Sequence, residues 1–308
     1  MKCGVVAIIG LPNVGKSSLI NALLGTQAVI ISPKPQTTRN SVRCIYNAED
    51  SQIVFTDTPG LYTATSHRDK LGAFLNEEIL SALDDADAVL WMVEADTRKV
   101  SEQDKELAEM IPAGLPVVLA ASKSDKADSS EVFRLYVELR EFAATVAVSA
   151  KCKKGLDELV AVLLRLMPEG FPLYEPLIPE GEAIYDPDIL MDTTEKFMAS
   201  EIIRQKVLML LRDEVPHCVA VEIEDYKSPE EYPDRKKLYI RAALITETEG
   251  QKKIVIGRDG RTIKRISTEA RGAIEEVTGQ PVYLELWAKV LPHWRRNSTS
   301  LRRLGYAQ

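Results

Sequence analysis

No apolar run in the 308-residue chain approaches the roughly 18 residues needed to cross a bilayer, so a helical membrane span is not expected. Cysteine is scarce. Cys3, Cys44, Cys152 and Cys218 stand far apart with no Cys-x-x-Cys pair, which argues against a disulfide framework and against a zinc ribbon. His67, His217 and His293 are equally scattered, and no structural metal follows from them. The expected state is four reduced thiols in a cytoplasmic protein. Internal repeats and low-complexity stretches are also missing. The apolar run at residues 4–9, behind Lys2, resembles the core of a signal peptide, but Pro12, Asn13, Gly15 and Lys16 follow where a small-residue cleavage site would stand. A buried first strand explains the run better, and secretion is not expected. Nothing in the pattern demands self-association, so a monomer is expected.

What is present points to two globular domains, the number that this length suggests as a prior. Hydrophobic residues make up 45% and charged residues 28% of the chain, an ordinary balance for a folded protein. The charge is unevenly spread. The whole chain carries −7, yet residues 251–308 hold 12 Lys+Arg against 5 Asp+Glu, a net +7, while residues 1–250 hold 27 against 41, a net −14. An acidic body with a basic end suits contact with a polyanion, either nucleic acid or an anionic lipid surface. Peripheral contact with the inner membrane is therefore carried as a secondary expectation, although the tail has no evident amphipathic anchor.

Residues 1–168 alternate short apolar runs with amphipathic stretches. Strands are expected at 5–10, 51–56, 88–93, 117–122 and 144–148, and helices at 16–24, 71–83, 101–110 and 131–141. The clearest helix carries Leu156, Leu159, Val160, Leu163 and Leu166 at i, i+3, i+4 spacing and stops before Pro168. Such alternation predicts an α/β fold with a mostly parallel sheet covered on both faces, and ligands at the carboxyl ends of its strands. Pro168, Pro172, Pro176, Pro179 and Pro187 then fall within twenty residues. The stretch 169–189 reads as a semi-stiff linker. Residues 190–308 read as α-β-β-α-α-β: a helix at 194–211, strands at 218–226 and 238–246, the run 254–257, a helix at 261–277 and a strand at 281–290. This is a small α+β domain.

Gly10, Leu11, Pro12, Asn13, Val14, Gly15, Lys16 and Ser17 fit the pattern G-x-x-x-x-G-K-[ST] between a buried strand and a helix, with Ser18 next in line. Glycines let backbone N–H groups wrap phosphates, Lys16 reaches the β- and γ-phosphates, and the Ser17 hydroxyl binds Mg²⁺. The alternative, a glycine-rich turn without a ligand, is weaker in that context. Asp57, Thr58, Pro59, Gly60 and Leu61 end the next buried strand. Asp57 can hold Mg²⁺ through water, and the Gly60 N–H can meet a γ-phosphate; taken alone the tetrapeptide is a turn. Ser122, Lys123, Ser124 and Asp125 end a further strand, and Ser149, Ala150 and Lys151 the one after. A carboxylate at Asp125 can accept both guanine N1–H and the 2-amino group, which adenine does not offer. Each element is weak singly, and the four in order are strong together.

These motifs are similar to those of the Era family of bacterial GTPases, a translation-factor-related group, over nearly the whole chain. The resemblance implies a P-loop GTPase domain at residues 1–168 followed by a type II KH domain at 190–308. It implies GTP hydrolysed to GDP, Mg²⁺ as cofactor, and Thr38 of the Gln36-Thr37-Thr38-Arg39 segment completing the Mg²⁺ shell beside Ser17 and Asp57. In related GTPases an Asn at the position of Asn13 helps to hold K⁺, so K⁺ is a second candidate cofactor. Two departures stand out. Ser122 replaces the family's usual Asn, which bridges base and phosphate loop, so guanine selectivity is expected to rest on Asp125. Leu61 stands where Ras-type enzymes carry a water-orienting Gln, a feature the family shares, so slow hydrolysis is expected. The sequence identifies no catalytic residue; Asn13 and Thr38 are candidates.

Ile256, Gly257, Arg258, Asp259, Gly260, Arg261, Lys264 and Arg265 resemble the KH core I-G-x-x-G, with an Ile-rich strand expected before it and an amphipathic helix after. Paired glycines let a nucleic-acid backbone approach, and the basic residues suit counterion release. Asp259 is an unhelpful charge there, unless it caps the helix. Trp287, Lys289, Trp294, Arg295, Arg296, Arg302, Arg303 and Tyr306 mix aromatics with cations, as single-stranded RNA binding favours. Trp287 in the core and a solvated face at Arg302 and Arg303 explain them at least as well. The family resemblance implies small-subunit rRNA near its 3′ end as partner, a role in small ribosomal subunit assembly, and nucleotide state passed to the KH domain through the Pro-rich linker. The alternatives are a P-loop NTPase of relaxed base specificity and an RNA-binding scaffold with a purely structural nucleotide site.

Overall fold

The structure, a computed structural model, describes residues 1–48, 50–62, 69–174, 191–231 and 236–306. Two compact units emerge. The first comprises Met1–Ile31, Thr38–Thr63 and Leu75–Asp192, and the second Ser32–Thr37, Ala64–Phe74 and Thr193–Gln308. Of the Pro-rich stretch 169–189, residues 175–189 lie outside the described residues.

The first unit is built on a six-stranded sheet of order β2-β3-β1-β4-β5-β6. Its strands are β1 (Lys2–Ile9), β2 (Val42–Ala48), β3 (Ser51–Asp57), β4 (Ala88–Glu94), β5 (Val117–Ser122) and β6 (Ala144–Ala147). All neighbours are parallel except β2, which pairs antiparallel with β3 at the edge. The helices of this part of the chain are α1 (Lys16–Leu24), α2 (Lys70–Asp84), α3 (Glu102–Met110), α4 (Ser130–Tyr136) and α5 (Leu156–Leu166). Ala7, Ile9, Val89, Trp91, Leu119 and Ala121 form one core cluster with Ile79, Leu83, Leu107, Val132 and Tyr136 of α2, α3 and α4. The alternate strand residues Val6, Ile8, Leu90, Met92, Val118 and Ala120 are also buried, as a parallel sheet covered on both faces requires. The chain crosses from one side of β1 to the other, so the loop after β1 sits where ligands bind in such sheets.

This unit departs from the sequence reading in two places: the strand β2 is additional, and the helix expected over 131–141 is α4, which closes at Tyr136. Beyond it the Leu139 N–H bonds the Tyr136 carbonyl, a tightened turn rather than another helical turn.

The second unit holds a three-stranded sheet of order β7-β8-β9. The strand β7 (Ala220–Lys227) is antiparallel to β8 (Leu238–Thr246), and β9 (Val282–Val290) is parallel to β8. The chain order is α6 (Glu195–Leu210), β7, β8, α7 (Glu249–Ile256), α8 (Arg261–Thr278) and β9, with a short α9 (Ser298–Arg303) near the end. That is the α-β-β-α-α-β order read from the sequence. Ile203, Val207, Leu244, Val255, Ile266, Ala270 and Ile274 lie in its core. On α8, Ile266, Ala270 and Ile274 recur every fourth residue on one face.

The Ile-rich run before Gly257 is not a strand. Thr248 accepts from the Gln251 N–H while the Gln251 side chain accepts from the Thr248 N–H, and this capping box starts α7 so that residues 254–256 are its last turn. The aromatics of the tail are also redistributed. Trp294 is fully buried, its Nε1–H donating to the Cys218 carbonyl at 3.1 Å. Trp287, for which a core position stood as the alternative to stacking on RNA, is 36% exposed.

Candidate functional site

The loop after β1 is shaped by its glycines. At Gly10, with φ of +151°, a side-chain carbon would stand 2.4 Å from the Met92 carbonyl oxygen. Gly15, with φ of +102°, caps α1 in a left-handed conformation. Asn13 also has a positive φ of 67°, and its side chain is exposed. Lys16 turns back into the loop, donating to the carbonyls of Gly10 at 3.0 Å and Leu11 at 3.3 Å. Burial pushes its ammonium down to about 8, against the opposing pull of the Asp57 charge. A phosphate chain in this loop would restore the charge, and from this a pH effect follows. Below pH 8 the free site already holds the ammonium. Above it, binding of GDP must take up a proton, and affinity is expected to fall by up to tenfold per pH unit until the pKa of the bound state. Calorimetry at pH 8.5 in two buffers of different ionisation enthalpy should detect that uptake, and Lys16→Met should abolish it.

Three oxygens converge beside Lys16. The Ser17 hydroxyl donates to Asp57 Oδ2 at 2.7 Å, and the Thr38 hydroxyl lies 3.2 Å from both Ser17 Oγ and Asp57 Oδ2. The hydroxyl of Thr37 instead bonds the Lys34 carbonyl and Ser32 Oγ, each at 2.7 Å. Asp57 is fully buried and its Oδ1 has no hydrogen-bond partner. Burial raises its carboxyl pKa, and the Ser17, Lys16 and Thr38 contacts oppose the rise. A buried carboxylate oxygen without a partner, flanked by two hydroxyls, is a donor set for a hard cation such as Mg²⁺.

After Asp57 the chain runs close to the loop. Thr58 Oγ1–H donates to the Ile8 carbonyl at 2.6 Å. A side-chain carbon at Gly60 would stand 2.7 Å from the Pro12 nitrogen, so only glycine lets the two backbones approach. Pro59 is buried between them in sequence. Leu61 departs from expectation: its side chain is 2% exposed in the core cluster with Ile9 and Ile79 and does not line the site. It contributes nothing to positioning water.

A cavity of about 230 Å³ brings the remaining motifs together. It is lined by Val14, Gly15, Ser18, Ser122, Lys123, Asp125, Ser149, Ala150 and Lys151 among others. Ser149 is fully buried and donates to Asp125 Oδ1 at 2.6 Å, which aims the carboxylate and is the first cause of its lowered pKa. Ser122 donates its one hydroxyl proton to the Val14 carbonyl at 2.6 Å. The strand-to-loop bridge is therefore kept, and no proton is left over for a base. Lys123, at φ of 56°, spans the Asn13 carbonyl at 3.0 Å and Glu94 at 2.6 Å. Ser124 holds the turn through its N–H to the Val148 carbonyl. Leu19, Met92, Lys126 and Val148 also line the cavity and were not singled out in the sequence, because their apolar or charged character there matches any strand end or turn.

In the second unit, Gly257 has φ 72° and ψ 175° and Gly260 has φ 72° and ψ 11°. Between them Arg258 and Asp259 are 88% and 70% exposed, and Arg261 is 79% exposed. Asp259 does not cap α8. Gly260 holds the cap position without a side-chain bond, and Asp259 lies 3.8 Å from both Arg258 and Arg261. Lys264 is exposed, and Arg265 pairs with Glu269 at 2.8 Å. Ile256 packs partly into the core. A glycine-flanked loop opening an 18-residue helix with an exposed cationic rim suits the backbone of a nucleic-acid strand.

A strand–loop–helix phosphate cradle, a hydroxyl–carboxylate cluster and an Asp-bearing base cavity, joined in one chain to an α-β-β-α-α-β domain, define a P-loop GTPase coupled to a KH module. Comparison with known proteins agrees. Residues 5–123 match the family described as 50S ribosome-binding GTPase, and residues 214–295 match the KH domain. GTPase Era of Aquifex aeolicus is 40% identical over 318 residues and that of Carboxydothermus hydrogenoformans 37% over 310, covering 100% of this chain and 100% and 98% of theirs. Two solved structures superpose with a TM-score of 0.88 at 39% identity, each covered in full. One is a variant of Aquifex aeolicus Era bound to GDP·AlF₄⁻, and the other is Era with MgGDPNP and nucleotides 1506–1542 of 16S ribosomal RNA. The chain belongs to the Era family of GTPases.

Proposed function

We propose that this chain is a GTP-driven switch on small-subunit rRNA, acting in small ribosomal subunit assembly. The single observation that carries the nucleotide half is the cavity in which Asp125, aimed by Ser149, faces the loop of Gly15 and Ser18. In this reading the G domain spans 1–168 and the KH domain 190–308, joined through 169–189. Gly10 to Ser18 cradle the phosphates, Asp57 to Gly60 sense the γ-phosphate, and Ser122 to Asp125 with Ser149 to Lys151 hold the guanine. Mg²⁺, held by Ser17, Thr38 and Asp57, supplies charge stabilisation for the phosphoryl group. Lys16 steadies the phosphates, and Thr38 reports whether the third is present. The exposed Asn13 side chain is the candidate partner for K⁺, and hydrolysis is slow because Leu61 stands where a water-orienting Gln would be and cannot polarise water.

The rRNA half rests on the Gly257–Gly260 loop with Arg258, Arg261, Lys264 and Arg265, and is supported by the relative solved with the 16S rRNA fragment. The chain acts as a cytoplasmic monomer. No helix among the described residues is long and apolar enough to cross a membrane; contact with the inner membrane rests on the basic charge of 251–308 alone. The test is affinity for a single-stranded RNA matching the 3′ end of small-subunit rRNA, measured with GDP and with a non-hydrolysable GTP analogue. Tighter binding in the GTP-like state is expected, and equal affinities would sink the switch.

A further inference from the structure

The segment Ser32–Thr37 belongs to the second unit and is tied there by side chains of α6 and by the end of that helix. Lys34 donates its ammonium to the Leu211 carbonyl, which closes α6. Arg204, about two turns earlier, is 1% exposed. Its Nε donates to Glu201 Oε1 at 2.7 Å, its Nη2 to the Thr37 carbonyl and to Glu201 Oε2, and its Nη1 lies 3.5 Å from the Gln36 carbonyl. A guanidinium has five N–H donors, and one carboxylate cannot satisfy them all when water is excluded. The two further acceptors are the last two peptide carbonyls before Thr38. Gln36 takes a left-handed φ of 60° in the same turn, which aims these carbonyls with little freedom left.

We propose that Arg204 is a positioning residue for GTP hydrolysis: by holding the Gln36 and Thr37 carbonyls it sets where the Thr38 hydroxyl stands beside Ser17 and Asp57. The proposal rests on the GTPase reading and deepens it. The planar fork of arginine spans two consecutive carbonyls, whereas the single ammonium of lysine cannot hold both in the same way. Moving the Gln36 and Thr37 carbonyls then breaks bonds to a buried charge.

The experiment uses the full chain with Arg204→Met and Arg204→Lys. It compares GDP affinity, the Mg²⁺ concentration for half-maximal turnover, and kcat and KM for GTP, with thermal melting as the folding control. Arg204→Met is expected to leave GDP affinity within about twofold, since GDP lacks the third phosphate whose transfer the position of Thr38 serves in this reading. It should lower kcat about tenfold or more, raise the Mg²⁺ requirement several-fold, and change KM less, with Arg204→Lys recovering part of kcat. If Arg204→Met does not fold, Glu201→Gln keeps the shape while loosening the guanidinium and should give the same pattern at smaller size. A folded variant with unchanged kcat and Mg²⁺ requirement, or one losing GDP and GTP binding equally, overturns the proposal alone. A wild-type chain that neither binds nor hydrolyses GTP overturns the parent reading and this one with it.

Discussion

Replacing Asp125 with Asn is expected to weaken GDP binding by roughly a thousandfold or more, the scale at which a site built for hydrogen bonds rejects a mismatched group. In the proposed reading the carboxylate accepts both guanine N–H groups, and the Ser149 proton at 2.6 Å fixes its plane. An amide accepts at one end only and sets its NH₂ against a guanine N–H at the other. Xanthine carries a carbonyl where guanine carries the 2-amino group, so XDP should bind the variant better than GDP does. In the same displacement assay Ser122→Asn should tighten GDP several-fold. The hydroxyl of Ser122 spends its only proton on the Val14 carbonyl, and an amide has a second. Displacement of labelled GDP by ATP as readily as by GTP would mean a relaxed base site and would remove this account of Asp125.

The parts of the site legible in the sequence are those where one chemistry needs one residue. Gly10, Gly15, Gly60 and Gly257 are fixed by close approach or by positive φ, Lys16 and Asp57 by charge, and each stood in a recognisable frame of strand end and turn. The mostly parallel sheet followed from alternation. What escaped depends on neighbours distant in sequence. The strand β2 lies at the edge of the sheet, paired with β3 and bridged at Cys44 to Met191, and its sequence Val-Arg-Cys-Ile-Tyr-Asn-Ala has no clean period of two. Residues 254–256 look like a strand because their apolar run is short, and only the Thr248–Gln251 capping box places them in a helix. The burial of Trp294 escaped because it sits in a single 3₁₀ turn that no periodicity announces. Leu61 follows the motif in sequence yet points into the core. Arg204 lies in a helix with apolar residues on nearly every side, and a charge there becomes meaningful only once the carbonyls of Gln36 and Thr37 are seen beside it.

The second large effect is expected at Gly257. Its φ of 72° with ψ of 175° falls in a region that only glycine occupies readily. A side-chain carbon there would also stand 2.1 Å from Thr262 Oγ1 and 2.7 Å from Thr262 Cβ. Gly257→Ala therefore combines backbone strain of about 1–3 kcal/mol with a steric clash at the first turn of α8. Gly260 provides the contrast. It is ordinary left-handed backbone with open space around it, so Gly260→Ala should cost only about 1 kcal/mol. Gly257→Ala is expected to lower the unfolding temperature of the KH unit by several degrees and to reduce affinity for a short single-stranded RNA more than tenfold, with GDP affinity unchanged. Adding Thr262→Ala removes the nearest clashing atom but not Cβ or the strain, so the double variant should recover part of the stability and show favourable coupling. Equal losses at Gly257 and Gly260 would mean that the loop is not held as its backbone angles indicate. Full recovery of stability in the double variant without recovery of RNA affinity would separate the two roles of Gly257: the fold needs space at Thr262, and the RNA needs the bare backbone.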